Sequence, residues 1–398
     1  MKNTKILAAI MISALSLSVI SCKKEEKPTE ITAETTVEVT TTTEQTSMSA
    51  TVQTEPSETE PIDPLYDPNI DFAVNPLTGI QDMSKDNVGM RSVAIVVNNC
   101  YAAMPQRGIS EADVIYEYET EGGQTRLLCL FADVNEVPVI GSLRSARIVA
   151  SDLAAGTNSI FIHYGRNARV PDHMSEWDID DVDGNFCSAG SCNTDNIHNL
   201  ASSLPGGTYF WRDSVWLSQR ALEHTAVSDG YHILDAINSY NLDLEGETPM
   251  IFNYVPDNSV DIASGSPCSS LNVFFSQTND DALFEYDSET GLYYKSQYNG
   301  MAQIDLNNGE QIAVTNVIVI YANICGHGDT TVDVYFEDAG SGYYTSQGKI
   351  IPITWTKDTP NDLITIYNEN GEEVEVNRGV TYVCVVDDDY DEDITINP

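Results

Sequence analysis

The sequence predicts an α+β protein in which a mixed α/β N-terminal domain is followed by a β-rich C-terminal domain. Three observations carry this. Strand-like apolar runs within residues 91–163 bracket a stretch of helical spacing, and a second helical period covers 229–240. Beyond residue 271 the helical period is gone, and short apolar runs recur with Asn-Gly pairs between them. A folded part of about 330 residues is too long for one ordinary domain and suits two.

The elements follow in order. Residues 91–98 (RSVAIVVN), 112–118 (ADVIYEY), 125–134 (TRLLCLFADV) and 159–163 (SIFIH) read as strands, rich in β-branched and apolar residues. Residues 147–155 place Val149, Ala150, Leu153 and Ala154 at helical spacing, with Ser142 or Ser145 positioned as the cap. Residues 229–240 form the second expected helix, with Ile233, Leu234 and Ile237 facing inward. The mixed domain is therefore expected over 71–242, followed by a polar connector over 243–270. The β-rich domain, 271–398, carries expected strands at 271–275, 291–294, 312–321, 331–335, 350–355, 363–367 and 380–386. Asn308-Gly309 and Asn370-Gly371 are hairpin signals, so a small barrel or sandwich is expected. Six of the seven residues 387–393 are acidic, which reads as a solvated chain end rather than a calcium site.

The beginning of the chain reads as an address. Lys2 and Lys5 precede an apolar stretch over 6–20, and Ser21 then stands before Cys22, the pattern of a lipoprotein signal peptide spanning 1–21. That stretch is short for a spanning helix, which needs about 20 residues. Cys22 is thus the expected lipidation site, carrying palmitate-like acyl chains that hold the protein at the outer face of the cell membrane. Residues 22–70 read as a disordered linker: twelve threonines and nine glutamates lie between Lys23 and Glu60, without hydrophobic period.

Acidic residues outnumber basic ones 61 to 19, a formal charge of −42. Such a body is repelled by nucleic acid and by anionic headgroups, which excludes nucleic-acid partners. The cysteines after Cys22 (Cys100, Cys129, Cys187, Cys192, Cys268, Cys325 and Cys384) form no disulfide framework, although Cys187 and Cys192 are close enough to pair. Neither Cys325-Gly-His327 nor Asp181-Val-Asp183-Gly184 completes a metal motif, so no metal is assigned.

Several stretches together resemble the YerB-type lipoproteins defined by a DUF3048 domain. They are Asn75-Pro-Leu-Thr-Gly79, the run 91–98, Pro105-Gln106 with Ser110-Glu-Ala-Asp113, and Glu121-Gly-Gly-Gln-Thr-Arg126. Gly141-Ser-Leu-Arg-Ser-Ala-Arg147, Trp211-Arg-Asp213 and Arg220-Ala-Leu-Glu-His224 continue the likeness, with Asn316-Val-Ile-Val319, Gly348-Lys349 and Trp355 in the second half. One departure is Ala221-Leu-Glu-His-Thr225, where the family usually shows Ala-Pro-His-Asn. The resemblance implies a two-domain envelope lipoprotein. It brings no established activity, so no catalytic residue and no cofactor is carried over.

The chemical clue is the placing of the basic residues. Nine arginines and no lysine lie between Asp86 and Tyr294, all in the α/β half: Arg91, Arg107, Arg126, Arg144, Arg147, Arg166, Arg169, Arg212 and Arg220. Arginine is favoured where a planar fork holds a carboxylate or phosphate, or where an ion pair is buried. The plainer expectation is internal pairing with Asp113, Glu117, Glu119, Glu121 and Asp213. The sharper one starts from Arg144 and Arg147, which flank an expected helix start that is already electropositive. Cations there invite an anion, so Arg126, Arg144, Arg147, His163, Arg212 and His224 are expected to bind one. Two function classes follow. One is a non-enzymatic envelope module binding an anionic wall component or an exported protein. The alternative is a phosphoryl-transfer enzyme acting on a lipid-linked wall precursor; over this short stretch the chain is loosely similar to LytR-CpsA-Psr wall-polymer ligases. No G-x-S-x-G or Cys/His motif supports hydrolysis.

Overall fold

The computed structural model describes residues 64–185, 209–256, 258–278, 280–326, 331–337 and 339–398. The expected signal peptide, Cys22, most of the linker, and Cys187 with Cys192 lie outside these residues. Among the described residues 41% are strand and 17% helix, so the fold is strand-rich with few helices and the α+β expectation is met only loosely.

The first half contributes β1 (Val93–Asn98), β2 (Val114–Thr120), β3 (Gln124–Phe131) and β4 (Ile140–Gly141). Helix α1 (Ile148–Gly156), β5 (Ile160–His163), α2 (Val170–Glu176), β6 (Asp181–Asp183), β7 (Trp211–Arg212) and β8 (Ala226–Ser228) follow. Strands β2 and β3 form an antiparallel hairpin, β3 pairs antiparallel with β1, and β1, β5 and β6 run parallel. The run 93–98 is apolar almost throughout because the sheet is covered on both faces. Val93, Ile95 and Val97 belong to one core, and Ala94 and Val96 to the other.

The sheet does not stop at the end of this half. The free edge of β2 pairs in parallel with Thr381–Asp387, which pairs in parallel with Asn316–Gly326. Gly340–Ser346 and Lys349–Thr356 extend it, giving one sheet of twelve strands through both halves of the sequence. A second, six-stranded sheet, built around Ser270–Ser276, Asp280–Asp287 and Leu292–Gln297, shares the core of the first. Phe284 meets Tyr382 edge-on at 5.1 Å between ring centroids.

Several elements differ from expectation. No serine caps α1: Arg147 stands at the N-cap without a side-chain capping bond, and the Ser145 hydroxyl donates to the Tyr164 carbonyl instead. The helix Gly230–Tyr240 is capped by Asp229, which accepts from the His232 N–H at 2.9 Å. Residues just before 70 pack with the fold, since Leu65 is buried and the Gln81 side chain bonds the backbone of Asp67 and Phe72. The stretch expected as a connector is woven in: Asn253–Val255 pairs with Glu375–Asn377, and Thr248 accepts from the Ser92 N–H. The acidic run is not the end of the fold, since Ile394–Asn397 returns to pair with Ser270–Ser276. Asp387, Asp388 and Asp389 are the one group of carboxylates among the described residues close enough to share a cation.

The strand Gly340–Ser346 was hidden by composition. A side chain at Gly342 would place Cβ 2.0 Å from the Val319 carbonyl oxygen, so glycine is what lets the strands approach.

A buried polar knot joins the halves. Lys295 is fully buried, donates to Gln297 and Gln303 at 2.8 Å each, and lies 3.4 Å from Glu117 of β2. Glu117 accepts from Asn99, Thr125 and Tyr382 at 2.6–2.7 Å.

Candidate functional site

Register brings the site residues to one edge of the sheet. Arg126 opens β3 opposite Asn98, the last residue of β1, and β5 ends at the same edge because it runs parallel to β1. Helix α1 precedes β5, so its N-terminus returns there. The segment before it crosses the end of β1, with Asn98 N–H donating to the Ser142 carbonyl and Arg144 N–H to the Val96 carbonyl. The short sheet of β4, β8 and β7 closes the other side, tied by a bond from Leu143 N–H to the Ala226 carbonyl. Crevices at the carboxyl ends of parallel strands are where open α/β sheets take ligands.

Arg147 grips Glu121 through both carboxylate oxygens at 2.6 Å and donates to the Ala146 carbonyl. Burial alone would raise the Glu121 carboxyl; the bond and charge of Arg147, with Arg126 behind, hold it below the usual range. Arg126 donates to the Ser145 carbonyl and lies 4.0 Å from Glu121. Burial, and then the neighbouring Arg147 charge, push its guanidinium down to about 9.

Arg144 is different. Among the described residues it has no hydrogen bond or ion pair from its side chain. Burial lowers its pKa, Cys100 and Glu223 act in the opposite sense, and Arg147 adds to the lowering. His224 bonds Asn98 through Nδ1 at 2.8 Å, and Cys100 Sγ lies 3.9 Å from the same nitrogen. The imidazole is pushed down by burial and then by Arg144. Arg212 donates to the Leu222 carbonyl, and its guanidinium stands 5.0 Å from the centre of the Tyr164 ring. It too is pushed down, first by burial, with Arg144 among the contributing charges. Arg144 is thus near enough to act on each of Arg126, Arg147, Arg212 and His224.

His163 is not brought to this group. It is fully buried beneath the edge, with Nε2 3.0 Å from Asp181 and Nδ1 2.9 Å from the Gly165 carbonyl, leaving neither nitrogen for an external anion. The Asp181-Val-Asp183 stretch is strand β6, and its carboxylates face His163 and Arg166. Other arginines pair internally: Arg91 with Asp180, Arg107 with Asp213 and Arg169 with Asp333. Glu117 pairs with Lys295 rather than arginine, and Asp113 accepts from Asn75 and the Ala132 N–H. Asn98, Cys100 and Glu223 were missed in the sequence. Asn98 and Asn99 ending an apolar strand are a signal for a polar mouth; the meeting of Cys100 with His224, 124 residues apart, left none.

This chain belongs to the DUF3048 family, described as proteins of unknown function. The family's N-terminal domain matches residues 77–242 and its C-terminal domain matches 271–383, together more than half of the chain. It is similar to a Bacillus subtilis protein named "Putative lipoprotein YerB", 26% identical over 319 residues that cover 79% of this chain and 86% of that one. The crystal structure of YerB from Bacillus subtilis shares the fold, with a TM-score of 0.65 at 23% identity, over 81% of this chain and 99% of that one.

Proposed function

We propose that the protein is an envelope lipoprotein, anchored through acylated Cys22 at the outer face of the membrane, whose arginine-lined crevice binds an anion. The ligand is an anionic wall component or an acidic segment of an exported partner. The single observation that carries the reading is Arg144, a partly buried guanidinium among other cations, whose side chain makes no hydrogen bond or ion pair among the described residues. An unpaired cation in such a place is costly unless an anion joins it. The anchor rests on Ser21-Cys22 after the apolar stretch, and the relative's name supports it. Among the described residues no helix is long and apolar enough to cross a membrane.

Two measurements test the parts separately. Replacing Cys22 with Ala abolishes acyl labelling; label retained in that variant refutes the anchor. Titration with phosphate-bearing wall fragments gives binding that Arg144→Ala weakens by about 1.5–3 kcal/mol, the range for charged hydrogen bonds. Magnesium-dependent turnover of a lipid pyrophosphate, lost in the same variant, replaces the binding reading with the phosphoryl-transfer one.

A further inference from the structure

We propose that Glu223 is a resident counter-ion holding the anion position of the crevice, which the ligand displaces, and that the ligand's anionic group is a phosphoryl group rather than a carboxylate. This rests on the binding reading above and deepens it.

The Asn98 side chain fixes the direction in which His224 works. Its Oδ1 accepts from the Cys100 N–H at 3.3 Å, so Nδ2 is the atom that donates to His224 Nδ1 at 2.8 Å. With Nδ1 accepting, the imidazole proton resides on Nε2. That nitrogen faces Glu223 Oε1 at 3.9 Å. The imidazole side chain is 11% exposed and the Glu223 side chain 51%, so the carboxylate approaches from the solvent side. It rides on the short turn Leu222–His224, and His224, Arg144 and Arg212 all act on it.

At 3.9 Å the carboxylate makes no direct hydrogen bond to the imidazole; its own backbone N–H bonds it, and Arg144 and Arg212 hold it by charge alone, which leaves it displaceable. It is also tethered, so its effective concentration is high. An incoming carboxylate offers the same charge and the same kind of acceptor oxygens, and exchange gains it little. A phosphoryl group carries about −1.5 to −2 charge and three acceptor oxygens, enough to serve Arg144, Arg212 and the Nε2–H together. The tethered carboxylate thus sets a threshold that a phosphoryl group passes and a carboxylate does not.

The test is calorimetric titration of the detergent-solubilised full chain with inorganic pyrophosphate and with malonate. The parent binds pyrophosphate at least about tenfold tighter than malonate, given the charge difference. Glu223→Gln tightens both ligands by the same factor, about fivefold for loss of a half-exposed pair. Glu369→Gln, which removes an exposed carboxylate elsewhere, changes neither. Equal gain is the signature of displacement; a larger gain for the more highly charged pyrophosphate shows that Glu223 stays in place and merely repels, which overturns the proposal. So does Glu223→Gln with unchanged affinity, or a parent that prefers malonate. Pyrophosphate binding that needs Arg144 but ignores Glu223 sinks this inference and leaves the binding reading standing. Absence of binding in both proteins sinks both.

Discussion

Lys295 and Arg144 are both cations removed from bulk water, and they are kept in opposite ways. Lys295 is fully buried between the two sheets, where two glutamine oxygens and Glu117 face its ammonium. Arg144 lies half-sheltered among four other basic groups, and its side chain makes no hydrogen bond or ion pair among the described residues. A satisfied buried charge fixes how surrounding parts fit together; an under-satisfied one at a mouth is a place for something that comes and goes.

Substitution of the lysine breaks the comparison most visibly. Lys295→Met leaves Glu117 charged and buried without its cation, and is expected to lower stability by about 3–5 kcal/mol in a denaturant titration. Adding Glu117→Gln recovers much of that loss, because the orphaned charge is gone. A single variant as stable as the parent shows that the ammonium is not what satisfies Glu117.

Arg147 stands between the extremes. Arg147→Ala removes a two-oxygen grip on Glu121, whose side chain is 24% exposed, so the loss in stability is expected to be smaller, about 1–3 kcal/mol. Anion binding falls in the same variant. For Arg144→Ala, stability changes by less than about 0.5 kcal/mol, as for substitutions that break no buried contact, while anion binding weakens by about 1.5–3 kcal/mol. A large fall in its melting temperature shows Arg144 to be structural and removes the contrast with Lys295.

A further expected effect is read as a pH dependence. Burial pushes the Asp113 carboxyl up to about 7, against the bonds from Ala132 and Asn75 that lower it. A carboxyl raised on folding releases its proton more readily when unfolded. Its contribution is thus fully present below the unfolded value, about 3.9, and is lost as pH rises through about 7. Melting temperature is expected to fall across that window in the parent, and Asp113→Asn flattens the slope. An unchanged slope in the variant assigns the pH dependence to another group.

How much of this was legible follows from what each part depends on. The runs 93–98 and 124–131 carry their own signal, because both faces of those strands are covered and the apolar residues are continuous. Arg144 and Arg147 drew attention because arginine before a helix start is locally unfavourable, and Arg126 because it opens the preceding strand. The pairing of β2 with Thr381–Asp387 spans more than 260 residues and follows from no local pattern. Strand Asp280–Asp287 is flanked by aspartates and reads as a loop, and Ile394–Asn397 hides behind an acidic run. His163 looked like the other strand-end residues, and only the arrival of β6 alongside shows that its nitrogens are taken.

The parallel union of β2 with Thr381–Asp387 has a consequence for how the chain is made. Synthesis runs from the N-terminus, so β2 exists long before the strand that covers its edge. Throughout that interval a row of backbone donors and acceptors stands open, in a strand already buried on both faces in the finished protein. Closure of a loop this long is slow, and open edges in the interim invite pairing with the wrong chain. A nascent chain stalled after residue 242 therefore ends with its sheet open-sided, and the last strands work as a late-arriving seam that closes it.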